Sequence, residues 1–341
     1  MQVKLTNVDA VGGNYVLQTR LRTRGSKIRL ESRLNAEDGI QVWTGKHDGE
    51  LEDIFDWQDQ TGEALAAQVM GIILDLEFAK LRLIREEDLT PEQHYLAGIM
   101  KFRALSEEAF VEVATSLSRA IELKPDYVAA YGELITMTMA AQTVGWTSLS
   151  ELFAKVPNWV EVARGLKAQT PLLELAIAFH DFSRTRKQIP FRSKISELMR
   201  RLPSNVRLLV WSGWSFLWMG EPQLALDCFE KFRRIGRFDP LLVACEGGSA
   251  LALAMSGNDE SAIRVAERGM QISTHYPTFQ MVLAASHARL GNEDESQRYV
   301  QEYLTLVPGM TMVERRQSFY AGTQSGDRFL DALELAGVPL K

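Results

Sequence analysis

Five histidines, His47, His94, His180, His275 and His287, are the side chains of this 341-residue chain best suited to acid–base or metal chemistry near neutral pH. They are scattered: none forms an HExxH pair, and none sits with a cysteine or carboxylate at ligand spacing, so they read as structural or surface groups. Cys228 and Cys245 lie 17 positions apart with no CxxC arrangement, which reads as two reduced, buried thiols. No GxxxxGK[ST] loop is present, no serine lies in a GxSxG elbow, and Val-Gly-Gly-Asn at 11–14 reads as a turn into a strand. No nucleophile stands beside a base. The expectation is therefore a protein that is not an enzyme and carries no metal or cofactor, and that works by holding a partner.

Binding chemistry has better candidates. Arg20, Arg22, Arg24, Lys27, Arg29 and Arg33 cluster around Gly25-Ser26, and two-residue alternation puts them largely on one face of a hairpin. Such a face suits nucleic acid, an acidic helix or a phosphorylated partner; it also suits the solvated side of a half-buried sheet, since no aromatic alternates there to stack bases.

The elements that position these groups follow from periodicity. Tyr15 to Arg22, Lys27 to Leu34 and Ile40 to Thr44 alternate, which predicts a three-stranded antiparallel meander. From near Glu50, Ile54, Trp57, Thr61, Leu65, Ile72, Leu76, Ala79 and Leu83 recur at helical spacing, predicting one long amphipathic helix that ends at Arg85-Glu86-Glu87-Asp88, with Thr90-Pro91 capping the next. Beyond residue 90 the chain repeats. The turn glycines Gly220, Gly257 and Gly291 are 37 and 34 residues apart, close to the roughly 34-residue period of tetratricopeptide repeats. Gly213, Ala250 and Ala284 in first helices, and Ala225, Ala262 and Ser296 in second helices, let each pair approach closely, while Phe216, Phe229 and Leu253 fill the space between. Between 141 and 203 the period blurs, with helices expected over 149–166, 172–182 and 191–202. The tail reads as a short helix, a loop and a closing helix through Leu333.

The predicted fold is mostly α: a tetratricopeptide-type right-handed α-α superhelix with a small N-terminal antiparallel β meander and a long linking helix. Residues 1–48 form the β-rich piece, 49–88 the linking helix and 89–341 the array. Counted from Gly213, Trp214 and Trp218 fall at offsets facing the concave groove of such an array, with Arg207 one turn below; Met255, Met281 and Arg289 take comparable positions in later units. These six are the expected partner-binding residues, against core packing as the commoner fate of tryptophan. On that reading, Trp218→Ala with Arg289→Ala leaves melting nearly unchanged.

Several stretches together resemble a known arrangement. Tyr-Val-Leu-Gln-Thr-Arg-Leu-Arg (15–22), Trp43 to Asp48 and Leu-Glu-Asp-Ile-Phe-Asp-Trp-Gln-Asp-Gln (51–60) resemble the end of the TolB-like domain of proteobacterial regulators, in which tetratricopeptide repeats follow. The likeness continues through Ala-Ile-Glu-Leu-Lys-Pro-Asp-Tyr (120–127), Gly145-Trp146, Trp211 to Pro222 and Leu333 to Pro339. Proteins of that kind carry upstream a class III adenylate/guanylate cyclase domain or a winged-helix DNA-binding domain. Here Met1 falls about halfway through the TolB-like region, so the resemblance implies a regulatory portion without its output domain. A hairpin without its usual neighbours leaves a strand edge open, so residues 1–46 are expected to be mobile or self-associating.

Composition bounds the rest. At 46% hydrophobic the chain buries a full core, and no apolar run approaches the roughly 20 residues that span a bilayer. No signal-peptide pattern opens the sequence, which places it in the cytoplasm on this reading. The net charge of −6 disfavours nonspecific phosphate binding by the chain as a whole.

Overall fold

Alternation around Gly25-Ser26 does build a sheet. The computed structural model describes residues 2–4, 8–10, 13–146, 149–236 and 239–341, with backbone alone for 2–4, 8–10, 13, 14, 53, 56, 59, 60, 63 and 67. Of the expected turn at 11–14, Val11 and Gly12 lie outside the described residues. Strands β1 (Gln2–Lys4) and β2 (Val8–Ala10) are short; β3 (Gly13–Arg24), β4 (Lys27–Asn35) and β5 (Gln41–Glu50) form the antiparallel meander. β1 and β2 both pair with β3, against Gln18–Arg20 and Gly13–Tyr15 of its outer edge, so the described sheet ends in β5 on one side and in these two short strands on the other.

The register Leu17↔Leu34 and Leu34↔Trp43 puts the apolar side chains on one face. Helix α1 (Ile54–Leu81) lies across that face, with Leu65, Val69 and Ile73 packed on Tyr15, Leu17 and Leu34. Tyr15 Oη donates to Glu77 at 2.6 Å, and Lys80 donates to the same carboxylate at 2.6 Å, pinning the far end of α1 to the sheet.

After a short 3₁₀ turn at 86–88 come α2 (Pro91–Lys101), α3 (Glu107–Leu123), α4 (Val128–Val144), α5 (Ser150–Gly165), α6 (Pro171–Thr185), α7 (Gln188–Arg201), α8 (Val206–Trp218), α9 (Pro222–Ile235), α10 (Leu242–Met255), α11 (Asp259–Met270), α12 (Pro277–Arg289), α13 (Glu293–Leu306), α14 (Met312–Arg315) and α15 (Gln324–Ala336). Thr90 opens α2 with a capping box to Gln93. Helices pair in sequence as hairpins at α2–α3, α8–α9, α10–α11 and α12–α13, while α4 packs more on α6 than on α5, giving a mostly α, tetratricopeptide-like array.

Why the helices pair so closely is visible in single residues. A Cβ at Gly213 would sit 2.5 Å from the Phe229 ring, so α8 and α9 approach to a distance only glycine permits. Ala225, Ala250, Ala262, Ala284 and Ser296 are all buried, and Ser296 Oγ donates to the Ala284 carbonyl at 2.9 Å. Gly220, Gly257 and Gly291 each end a first helix with φ of +75°, +80° and +77°, the left-handed conformation that reverses the chain into the second.

The array curls until distant hairpins touch. Ser273 Oγ, before α12, donates to the Ala104 carbonyl at 2.7 Å, between α2 and α3. No helix among the described residues is long and apolar enough to cross a membrane.

Candidate functional site

Inner helices α4, α8, α10 and α12 carry apolar or small residues around almost their whole circumference, and nearly every position of each is buried. A helix apolar on all sides belongs in a core. Their inward surface is covered by the chain itself: Val307, Met310, Met312 and Tyr320, from the segment between α13 and α15, are buried in the main core. Phe319 packs edge-on against Phe179 and Trp218, at 5.4 and 6.0 Å between ring centres. Arg315, 4% exposed, donates through Nη1 to Tyr303 Oη at 3.2 Å and through Nη2 to the Thr143 carbonyl at the end of α4. The terminal carbonyls of α4 carry partial negative charge, which suits this guanidinium. Burial opposes its charge, while the Tyr303 and Tyr320 hydroxyls hold its pKa above the ordinary value.

The expected groove anchors therefore occupy different places. Trp218 is 1% exposed and stacks on Phe179 with ring centres 4.0 Å apart. Trp214 is buried and donates Nε1 to the Ala244 carbonyl of α10 at 3.1 Å. Met255 is fully enclosed, and Met281 Sδ lies 3.3 Å from Arg315 Nη1. Arg289 makes a two-pronged pair with Asp259 and donates to the Ala254 carbonyl at 2.6 Å, so it closes the end of α10. Arg207 reaches Glu133 at 3.4 Å and Asp239 at 4.0 Å. Burial works against the Arg207 charge, but those two carboxylates hold its pKa above the ordinary value; burial pushes Glu133 up. Here the groove is filled, and Trp214, Trp218, Met255 and Met281 are core side chains.

A concavity remains beside the filling segment. A cleft of about 500 Å³ opens between the end of α4 (Gln142, Thr143), the start of α5 (Ser150, Phe153), the end of α6 (Ser183, Arg186) and residues 310–319. Trp146, Phe153 and Phe319 give it apolar wall; Arg186, Arg315, Gln142 and Gln317 give it donors. Arg186 lies 4.8 Å over the Phe319 ring and donates to the Phe319 carbonyl at 3.3 Å. Glu314 also lines it, with Oε2 already accepting from the Thr311 amide and hydroxyl. The sequence signal for this site is the apolar content of the tail's short helix and the residues beside it: Met310, Met312, Phe319 and Tyr320.

On the meander, the register puts Arg20, Arg22 and Arg24 of β3 on the same face as Arg33, Arg29 and Lys27 of β4. Arg29 forms a two-pronged pair with Asp48, which holds that carboxyl below its usual range, and Arg22 pairs with Glu31 at 3.3 Å. The two cysteines are free and buried, and burial pushes Cys228 up to about 12. Among the described residues no three His, Cys, Asp or Glu side chains are gathered as for a metal ion.

No family model matches the chain. A mouse protein, interferon-induced protein with tetratricopeptide repeats 3, is 27% identical over 133 residues, covering 38% of this chain and 32% of that protein. The match thus spans about a third of the relative's length. Among solved structures, the Cut9–Hcn1 hetero-tetramer of the APC/C aligns with a TM-score of 0.45 and 12% identity over 79% of this chain and 47% of that one. Yeast Tom70 aligns with a TM-score of 0.40 and 16% identity over 72% and 47%.

Proposed function

We propose that this tetratricopeptide-like array is an interaction scaffold which holds an extended segment of a protein partner in the cleft between α4, α5, α6 and residues 310–319. What supports it is the make-up of that cleft: rigid helix ends from three elements, three aromatic walls and a few fixed donors, in a volume of about 500 Å³. In this proposal residues 89–341 are the scaffold, while 1–48 and 49–88 form a side module docked on it. The resemblance to regulator-associated arrays extends the proposal to a regulatory role in signalling, with a cyclase or DNA-binding output supplied by another segment or polypeptide.

The test is selection from a random-peptide library on the immobilised protein. Gln142→Trp and Ser183→Trp each fill the cleft at a position that is not fully buried. Binders that survive both substitutions with unchanged affinity place recognition elsewhere and overturn the proposal; binders lost from both, with the circular dichroism spectrum intact, support it.

A further inference from the structure

We infer that the solvent face of the β3–β4–β5 meander is a second docking surface, and that its occupant is an acidic protein segment. Along the three strands this face carries seven basic and three acidic side chains, a surplus of four positive charges that leaves −10 over the rest of a chain totalling −6. The arrangement is poor for the sheet alone. Arg22 stands directly across from Arg29 and Arg24 directly across from Lys27, and like charges at facing positions destabilise a strand pair. Glu31 and Asp48 relieve the first pair. Nothing relieves Arg24, and Arg20, Arg24, Lys27 and Arg33 make no ion pair among the described residues.

These cations also line a shape. A hollow of about 790 Å³ at the hairpin end is bordered by Arg22, Arg24, Lys27 and Arg29, with Asp48 and Glu50 on its far rim. Alternate residues of β3 are about 7 Å apart, which matches carboxylates on every second residue of an extended chain. A polypeptide fits better than nucleic acid for two reasons. Carboxylates interleaved with the cations repel a continuous phosphate backbone, and no aromatic residue shares the face to stack bases.

The test uses the full chain and three probes: a labelled 12-residue peptide alternating Glu and Ser, a labelled DNA duplex of equal charge, and the protein itself by sedimentation. In 50 mM salt the peptide is expected to bind, and Arg24→Glu with Arg33→Glu to weaken it at least about tenfold. Arg24→Glu alone should raise the melting temperature, since it sets a carboxylate opposite Lys27. Arg24→Gln with Arg33→Gln, expected to weaken binding less, decides the matter if the reversed variant does not fold. Absence of peptide binding, equal binding by the variants, tighter binding of the duplex, or a wild-type dimer abolished by the double reversal each overturns the inference.

Discussion

Replacing Trp218 by alanine separates a filled centre from an open groove by several kilocalories. The indole is 1% exposed, lies parallel to Phe179 at 4.0 Å, and borders Trp214 and Phe319. Truncating a buried tryptophan costs about 3–5 kcal/mol in lost transfer energy and residual cavity. The Phe179 stack accounts for about 0.5–1.5 kcal/mol of that. An exposed groove residue would cost under about 0.5 kcal/mol. Urea unfolding followed by circular dichroism and by intrinsic fluorescence gives the difference, with coincidence of the two curves checking that the array unfolds as one unit. Leu335→Ala, at a position 67% exposed, is the control and should change little. A loss below about 1 kcal/mol for Trp218→Ala would refute the burial argument. Arg289→Ala is expected to subtract about 2 kcal/mol more, because Asp259 then loses its charged partner in a nearly enclosed site.

Ala225→Leu should cost about 1–3 kcal/mol by overpacking the α8–α9 contact, measured as a shift in urea midpoint; a neutral result means the hairpin is looser than its fully buried alanine indicates. Glu246, buried between Arg233 at 2.9 Å and Arg268 at 2.6 Å, should lose about 1.5–3 kcal/mol on Glu246→Gln, and an unchanged melting curve would contradict this. Burial holds His94 and His180 below the ordinary imidazole value of 6.5. As pH falls through that value the unfolded chain takes up protons which the folded chain does not, so stability declines below about pH 6.5. His94→Gln with His180→Gln should flatten that decline in melting temperature against pH; an identical slope sinks the assignment. Glu133, shifted upward, contributes in the opposite sense but equally to both proteins.

Regular features were readable from residues alone because each has a local cause. Turn glycines at 220, 257 and 291 need a left-handed backbone, small residues at 213 and 225 need close neighbours, and Thr90-Pro91 caps a helix. The blurred region held helices near their expected places, α5 to α7. Strand β5 runs on to Glu50, past the expected end at Thr44, because Gly45 and Gly49 have no side chain to mark the apolar face; the rings of Trp43 and Trp57 lie against them instead. Occupancy of the centre was not readable from repeat offsets, which specify direction and not what lies there. A second signal was present: residues 206–218 and 242–255 have no polar stripe, so they had no face to give to water.

The hydrogen bond from Ser273 to Ala104, with Arg315 reaching back to Thr143, joins parts of the chain 169 and 172 positions apart. An open solenoid can gain or lose a unit at either end with only local adjustment. An array tied across its turns cannot: inserting one more hairpin between residues 143 and 273 would pull Ser273 away from Ala104 and Arg315 away from the end of α4. These two contacts therefore constrain how many hairpins can lie between the residues they join.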